Sequence, residues 1–126
     1  MAPSAVLERT RKLEQRGVLL GYESRLNAKA IGLGLTAFVF VRAEETTSEM
    51  SAGKALQAIP EVQEVHNVAG EDCYLVNLRA RDTEDLGRLL RERFASIPAA
   101  RNTRTTIVLS TLKETATLPL DRIGSN

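Results

Sequence analysis

The chain has 126 residues, 43% of them apolar and 26% charged, with a net charge of +1, which fits one domain with a modest core plus a smaller segment. Aromatics are only 4% and tryptophan is absent, so aliphatic side chains must fill that core. The longest near-apolar stretch, Ile31 to Val41, is 11 residues, well short of the roughly 20 that span a bilayer. No signal-peptide pattern opens the chain. A cytoplasmic protein without a membrane partner is the expectation. Cys73 is the only cysteine and His66 the only histidine, which excludes an internal disulfide framework and supplies no metal-ligand spacing. No metal and no cofactor are expected.

Charge is unevenly placed. Residues 1 to 29 hold six basic side chains (Arg9, Arg11, Lys12, Arg16, Arg25, Lys29) against three acids (Glu8, Glu14, Glu23), which leaves the remainder at −2. The basic end is the candidate nucleic-acid surface, and the plain alternative is a solvated helix face.

In chain order, Pro3 to Arg16 reads as a helix, with proline in its first turn and Gly17 just past its end. Val6, Thr10 and Leu13 would face inward. Val18-Leu19-Leu20 and Tyr22 to Leu26, around Gly21, are short enough for the two strands of a small wing. Residues 1–26 thus form a partial winged helix-turn-helix and 27–34 a linker.

Two strand–helix–strand units follow, 38 residues apart by their Ile59-Pro60 and Ile97-Pro98 marks. The first predicts a strand over Leu35 to Val41, a helix over Ser48 to Ala58 and a strand over Val62 to Ala69. The second predicts Cys73 to Ala80, Thr83 to Ala95 and Asn102 to Leu112. Ala52, Ala55, Leu56 and Ile59, like Leu86, Leu89, Leu90 and Phe94, recur at helical spacing, so each helix buries one stripe. Thr46-x-x-Glu49 can form a capping box, and Asp82 or Thr83 can cap the second helix. Right-handed crossovers interleave the two units into a four-stranded antiparallel sheet with both helices on one face. The fold class is α+β, a ferredoxin-like βαββαβ domain over 35–115, with 116–126 as a C-terminal tail.

Phe38-Val39-Phe40-Val41 and Ile107-Val108-Leu109 are continuous apolar runs, and a strand apolar on both sides is usually covered on both sides. Two helices cover only one face, so a second copy is expected on the other, giving a homodimer or larger.

The tight turn at Gly70-Glu71-Asp72 joins the units. Gly70 lets a ligand approach the backbone, turn N–H groups can receive a carboxylate, and Glu71 or Asp72 can take an ammonium. The plain alternative is a hairpin turn with glycine at positive φ. His66 would share a strand face with Val62 and Val68, and no nucleophile or orienting partner stands near it in sequence. Cys73 has no adjoining cationic cluster to lower its pKa, so it reads as packed rather than reactive.

Several of these segments together resemble one family. Pro3 to Val18 looks like the recognition helix of the Lrp/AsnC (feast/famine) transcription regulators, Leu19 to Gly32 is similar to their wing and linker, and Val68-Ala69-Gly70-Glu71-Asp72-Cys73-Tyr74-Leu75 is similar to their effector turn. Thr103-Arg104-Thr105-Thr106-Ile107-Val108-Leu109 with Lys113-Glu114 fits their last strand. Asp72 stands where that family often has an aromatic residue, and Cys73 where it often has Asp.

The resemblance implies a regulator that binds double-stranded DNA and senses an amino-acid effector. Ser4 and Arg9 would approach base edges while Arg11, Lys12 and Arg16 contact phosphates. Val68, Ala69, Gly70, Glu71, Asp72 and Cys73, with Thr103, Arg104 and Thr105 from a neighbouring edge, would form the effector site. It also implies dimers assembling to an octamer, no catalytic residue, and two supporting helices ahead of the point where this sequence starts. Two alternatives stay open: a sensing and oligomerisation module that does not bind DNA alone, and a dimeric ferredoxin-like enzyme using His66 as acid or base.

Overall fold

The computed structural model describes residues 3–45 and 50–120. Helix α1 spans Pro3–Gln15. Its end is a Schellman stop: Gly17 has φ of 74°, its N–H donates to Glu14 O at 3.1 Å, and the Val18 N–H donates to Leu13 O at 2.8 Å. Two carbonyls that the helix leaves open are thereby satisfied. Thr10 and Leu13 are half-buried.

Residues 18–26 are not strands. Apart from half-buried Leu19 they are exposed, and the expected wing does not form. Tyr22 instead folds back to hydrogen-bond Glu14 and Thr10, one turn apart on α1. A ribbon of two short strands has no apolar face to bury and is marginal alone. The linker is one compact turn: the Asn27 side chain accepts from Ala30 N–H at 3.3 Å, and Leu33 N–H reaches back to Ala28 O at 2.8 Å.

The remaining elements are β1 (Leu35–Ala43), α2 (Ser51–Gln57), β2 (Val62–Asn67), β3 (Tyr74–Ala80), α3 (Thr83–Leu89), a π-helical turn over Leu90–Phe94, and β4 (Ala100–Ile107). All strand pairs are antiparallel, in the order β2-β3-β1-β4, which is the expected ferredoxin-like sheet. The duplication holds in detail. Ile59 and Ile97 are both buried, and each takes the same turn, donating three residues back to Leu56 O or Phe94 O and accepting from Val62 or Ala100 N–H.

Alternate residues of the two central strands supply the core. Ala37, Val39 and Val41 of β1 pair with Leu78, Val76 and Tyr74 of β3, all of them buried beneath Leu56, Leu86, Leu89 and Phe94 from the helices. The other face carries Phe38, Phe40 and Leu75, framed by Asn77, Arg79, Arg104 and Thr106. It is a half-buried apolar centre with a polar rim, not the continuous apolar surface that the runs suggested. Val108 and Leu109 lie beyond β4, and Leu109 is 97% exposed.

Two further expectations are corrected, and one falls outside the described residues. His66 does not share a face with Val62, because the β2–β3 register shifts between Val62 and Glu64. One extra residue there reverses the alternation, so Val65 packs toward the core beside Val76 while His66 pairs with Leu75 on the open face. The second helix does not stay α-helical to Ala95 but widens into the π turn, which ends with Ala95 N–H bonded to Leu90 O. The Thr46/Glu49 capping box lies outside the described residues; among those described, the Glu45 carboxylate accepts from the Ala52 N–H in the first turn of α2.

Candidate functional site

The turn between β2 and β3 is closed by Val68 N–H donating to Cys73 O at 2.9 Å, and Cys73 N–H donates to Val41 O at 3.0 Å. Gly70 sits at φ of 149°, a region few other residues adopt. Behind the turn lies a cavity of about 190 Å3 lined by Glu45, Asn67, Val68, Ala69, Gly70, Asp72, Cys73 and Tyr74. Five of the nine residues expected at an effector site therefore share one cavity. Glu71 is exposed and is not part of its wall.

Arg104 joins from β4. Its Nη2 lies 3.0 Å from Asp72 Oδ2, and its guanidinium stacks on the Phe40 ring at 4.5 Å from the centroid, an arrangement that favours a flat cation over an aromatic face. Thr103 and Thr105 pair with Val41 and Val39 and so lie on the opposite side of β4 from Arg104, Thr103 exposed and Thr105 half-buried.

The inner wall carries a group that sequence reasoning missed. Glu45 Oε2 accepts from Ala52 N–H at 2.8 Å and from Ser51 Oγ at 2.9 Å, and Glu45 Oε1 accepts from the Tyr74 hydroxyl. Desolvation alone would push the Glu45 carboxyl up, but the Ala52 N–H together with the Tyr74 and Ser51 hydroxyls outweighs it and holds the group below its ordinary value. Burial first, and then the hydrogen bond and charge of Glu45, push Tyr74 up to about 12. The only signal in the sequence is a Glu just after an apolar strand, which is common on any exposed loop.

Cys73 is packed. Its Sγ accepts from Ala43 N–H at 3.5 Å and donates to Ala43 O at 3.3 Å. His66 lies with Nε2 3.7 Å from Glu64 Oε1, both more than half exposed. Among the described residues no group of three His, Cys, Asp or Glu gathers to hold a metal, and no helix is long and apolar enough to cross a membrane.

Arg9, Arg11 and Lys12 on α1, and Arg16 just past its end, are all exposed. Arg9 and Lys12 fall at i and i+3 on one side of the helix, and Arg16, whose N–H donates to Lys12 O, continues that spacing past its end. None of the four forms an ion pair among the described residues. Ser4 lies in the first turn of the same helix.

Residues 36–118 match the Lrp/AsnC ligand binding domain. The chain is 33% identical over 123 residues to the leucine-responsive regulatory protein of Haemophilus influenzae, covering 95% of this chain and 74% of that protein. It is 39% identical over 114 residues to the HTH-type transcriptional regulator LrpA of Mycobacterium tuberculosis, covering 88% and 73%. A transcriptional regulator of Neisseria meningitidis solved as a complex with L-methionine superposes with a TM-score of 0.89 at 25% identity, over 98% of this chain and 80% of that one. A feast or famine regulatory protein of M. tuberculosis complexed with L-methionine gives 0.79 at 36% identity, over 94% and 79%. With the ferredoxin-like sheet, the glycine turn and its cavity in place, the chain belongs to the Lrp/AsnC family of transcription regulators.

Proposed function

We propose that this chain is a non-enzymatic transcription regulator that senses a free amino acid at the β2–β3 turn and converts binding into a change of assembly. The observation that supports it is the cavity behind Gly70, where Val68, Ala69, Gly70, Asp72 and Cys73 converge. Asp72 takes the ammonium of the effector. Arg104, which spends one contact on Asp72 and has further N–H donors, takes its carboxylate. The apolar wall of Val68 and Ala69 receives the side chain. Thr103 and Thr105, exposed or half-exposed on the edge strand, complete the site from a neighbouring copy.

The open sheet face supports a homodimer built sheet to sheet around Phe38, Phe40 and Leu75, with dimers assembling to an octamer. Residues 35–115 form this sensing and oligomerisation domain. Residues 1–26 belong to the DNA-reading part, with Ser4 and Arg9 toward base edges and Arg11, Lys12 and Arg16 on the phosphates of double-stranded DNA. Regulation then follows from linkage: an effector that prefers one assembly over another shifts the equilibrium between them, and with it the spacing of the DNA-reading helices.

A thermal-shift titration against the twenty amino acids, with light scattering on each hit, tests this reading. A ligand that binds only the native state stabilises it by about 2.7 kcal/mol at a hundredfold excess over its dissociation constant. A selective rise in midpoint with a changed oligomer mass is expected. No rise for any amino acid overturns the effector reading.

A further inference from the structure

Among the described residues, helix α2 does not start on its own resources. Met50, the residue just before it, is in the left-handed region at φ of 46° and its own side chain makes no capping bond, a backbone state that is uncommon for a residue with a long side chain. Its first turn carries no acid. What satisfies it is Glu45, six residues upstream, through Ala52 N–H and the Ser51 hydroxyl.

Glu45 is in turn held by the first two residues after the effector turn. Tyr74 donates its hydroxyl to Glu45 Oε1, and Cys73 bonds both backbone groups of Ala43, two residues before Glu45. The Tyr74 ring, 2% exposed, also lies against Gly53 in the first turn of α2 with no slack: a Cβ on Gly53 would stand 2.9 Å from Tyr74 Cε1. Glu45 and Tyr74 line the same cavity as Gly70 and Asp72.

We infer that the Tyr74–Glu45 pair is a transmission latch, by which occupancy of the turn cavity tightens or releases the first turn of α2. Tyr74 and Glu45 act here as positioning residues. The inference rests on the effector reading above and deepens it, by naming how the site communicates with the body of the domain. A ligand that draws Asp72 and Cys73 inward moves Tyr74 directly, since the three are consecutive. Tyr74 cannot move without changing either its bond to Glu45 or its packing on Gly53. The reciprocal effect follows from linkage: whatever loosens the start of α2 weakens the effector.

Hydrogen exchange of the full chain, with an equimolar mixture of the twenty amino acids as probe, tests this. In the wild type the mixture is expected to raise the thermal midpoint and to slow exchange of the α2 amides severalfold. Tyr74→Phe keeps the ring against Gly53 and removes only the hydroxyl. Glu45→Gln is the second variant, keeping the size of the side chain but not its charge. At probe concentrations raised until the midpoint shift is complete, both are expected to leave α2 exchange unresponsive.

An equal α2 response in wild type and variants overturns the latch, as does a wild-type midpoint shift with no change in α2. Loss of the midpoint shift in both variants assigns the pair to binding itself and also overturns transmission. If the wild type shows no midpoint shift, the effector reading has failed and the latch falls with it.

Discussion

The two halves of the duplicated domain start their helices in opposite ways. Helix α3 is self-sufficient: Asp82 is its N-cap, accepting Asp85 N–H at 2.8 Å, and Glu84 and Asp85 place negative charge in its first turn, where the helix dipole favours it. Asp85, only 6% exposed, is fixed by neighbours within one turn. It accepts from Arg81 N–H at 3.0 Å and from Arg88 Nη2 at 2.8 Å, while Arg88 also reaches Glu61 and Glu92. Helix α2 borrows its cap from Glu45 and its packing from Tyr74. A helix whose start is built from adjacent residues is a fixed part, whereas one whose start depends on a distant residue can be coupled to whatever moves that residue.

The sharpest test of this contrast is a pair of glycine substitutions. Gly53→Val places two methyl groups where even a Cβ meets the Tyr74 ring, and overpacking of this kind is expected to destabilise by about 3 kcal/mol in urea unfolding. In α3 the matching space at Gly87 is bounded by the Arg91 guanidinium, at 3.1 Å, the far end of an exposed side chain that can swing away. Gly87→Ala should therefore stabilise by roughly 0.5 to 1 kcal/mol through helix propensity.

Asp85→Asn comes next among the losses, at about 2 kcal/mol, because the backbone and guanidinium donors around it lose a charged acceptor. The N–H of Arg81 and then the Arg88 side chain hold the Asp85 carboxyl down from 3.8 to about 2. A group depressed in the folded state stabilises fully above its unfolded pKa. This contribution is present above about pH 4 and disappears as the pH falls through 2, and an acid titration followed by circular dichroism should lose that step in Asp85→Asn.

Tyr74→Phe should cost about 1 kcal/mol near neutral pH, and its signature lies at the other end of the scale. Tyr74 is raised from 10.0 to about 12, so its contribution is complete below pH 10 and is lost as the pH rises through 12. The wild type should show this alkaline loss and the variant should not. The smallest effect on stability is expected from Asp72→Asn, which breaks an ion pair to an exposed arginine worth about 0.2 to 1 kcal/mol. The same change should abolish the amino-acid midpoint shift, separating the site from the scaffold.

How much of this was legible in the sequence follows the same division between local and distant causes. The apolar stripes of α2 and α3, the Asp82 cap, the Gly17 stop and the repeated Ile-Pro turns are local patterns, and they gave the order of the elements and the sheet, though β2 and β4 end two and five residues earlier than expected, at Asn67 and Ile107. The extra residue near Gln63 leaves no mark, because Gln63 and Glu64 are ordinary polar residues on an edge strand, yet it alone decides that His66 faces outward. The segment from Val18 to Leu26 has a strand-like composition but no partner strand among the described residues, so its β propensity goes unused. At the candidate site, the turn was legible from Gly70 and its neighbours. Arg104 was expected only by resemblance, and its contact with Asp72 depends on the β1–β4 register. Glu45 was invisible, since its role exists only once Tyr74 has been brought beside it.

The central place of β1 between β3 and β4 also orders the assembly of the chain in time. The hairpin of β2 and β3 closes through a short turn and can form within microseconds, but neither partner of β1 adjoins it in sequence. The strand that leaves the ribosome before any other in this domain must wait for both, and the last to arrive, β4, is also the last made. Until then Phe38-Val39-Phe40-Val41 is an unpaired apolar ribbon, the kind of segment that seeds aggregation. Folding rate is therefore expected to be governed by the capture of β1, a non-local step that places this small domain among the slower mixed α/β folders.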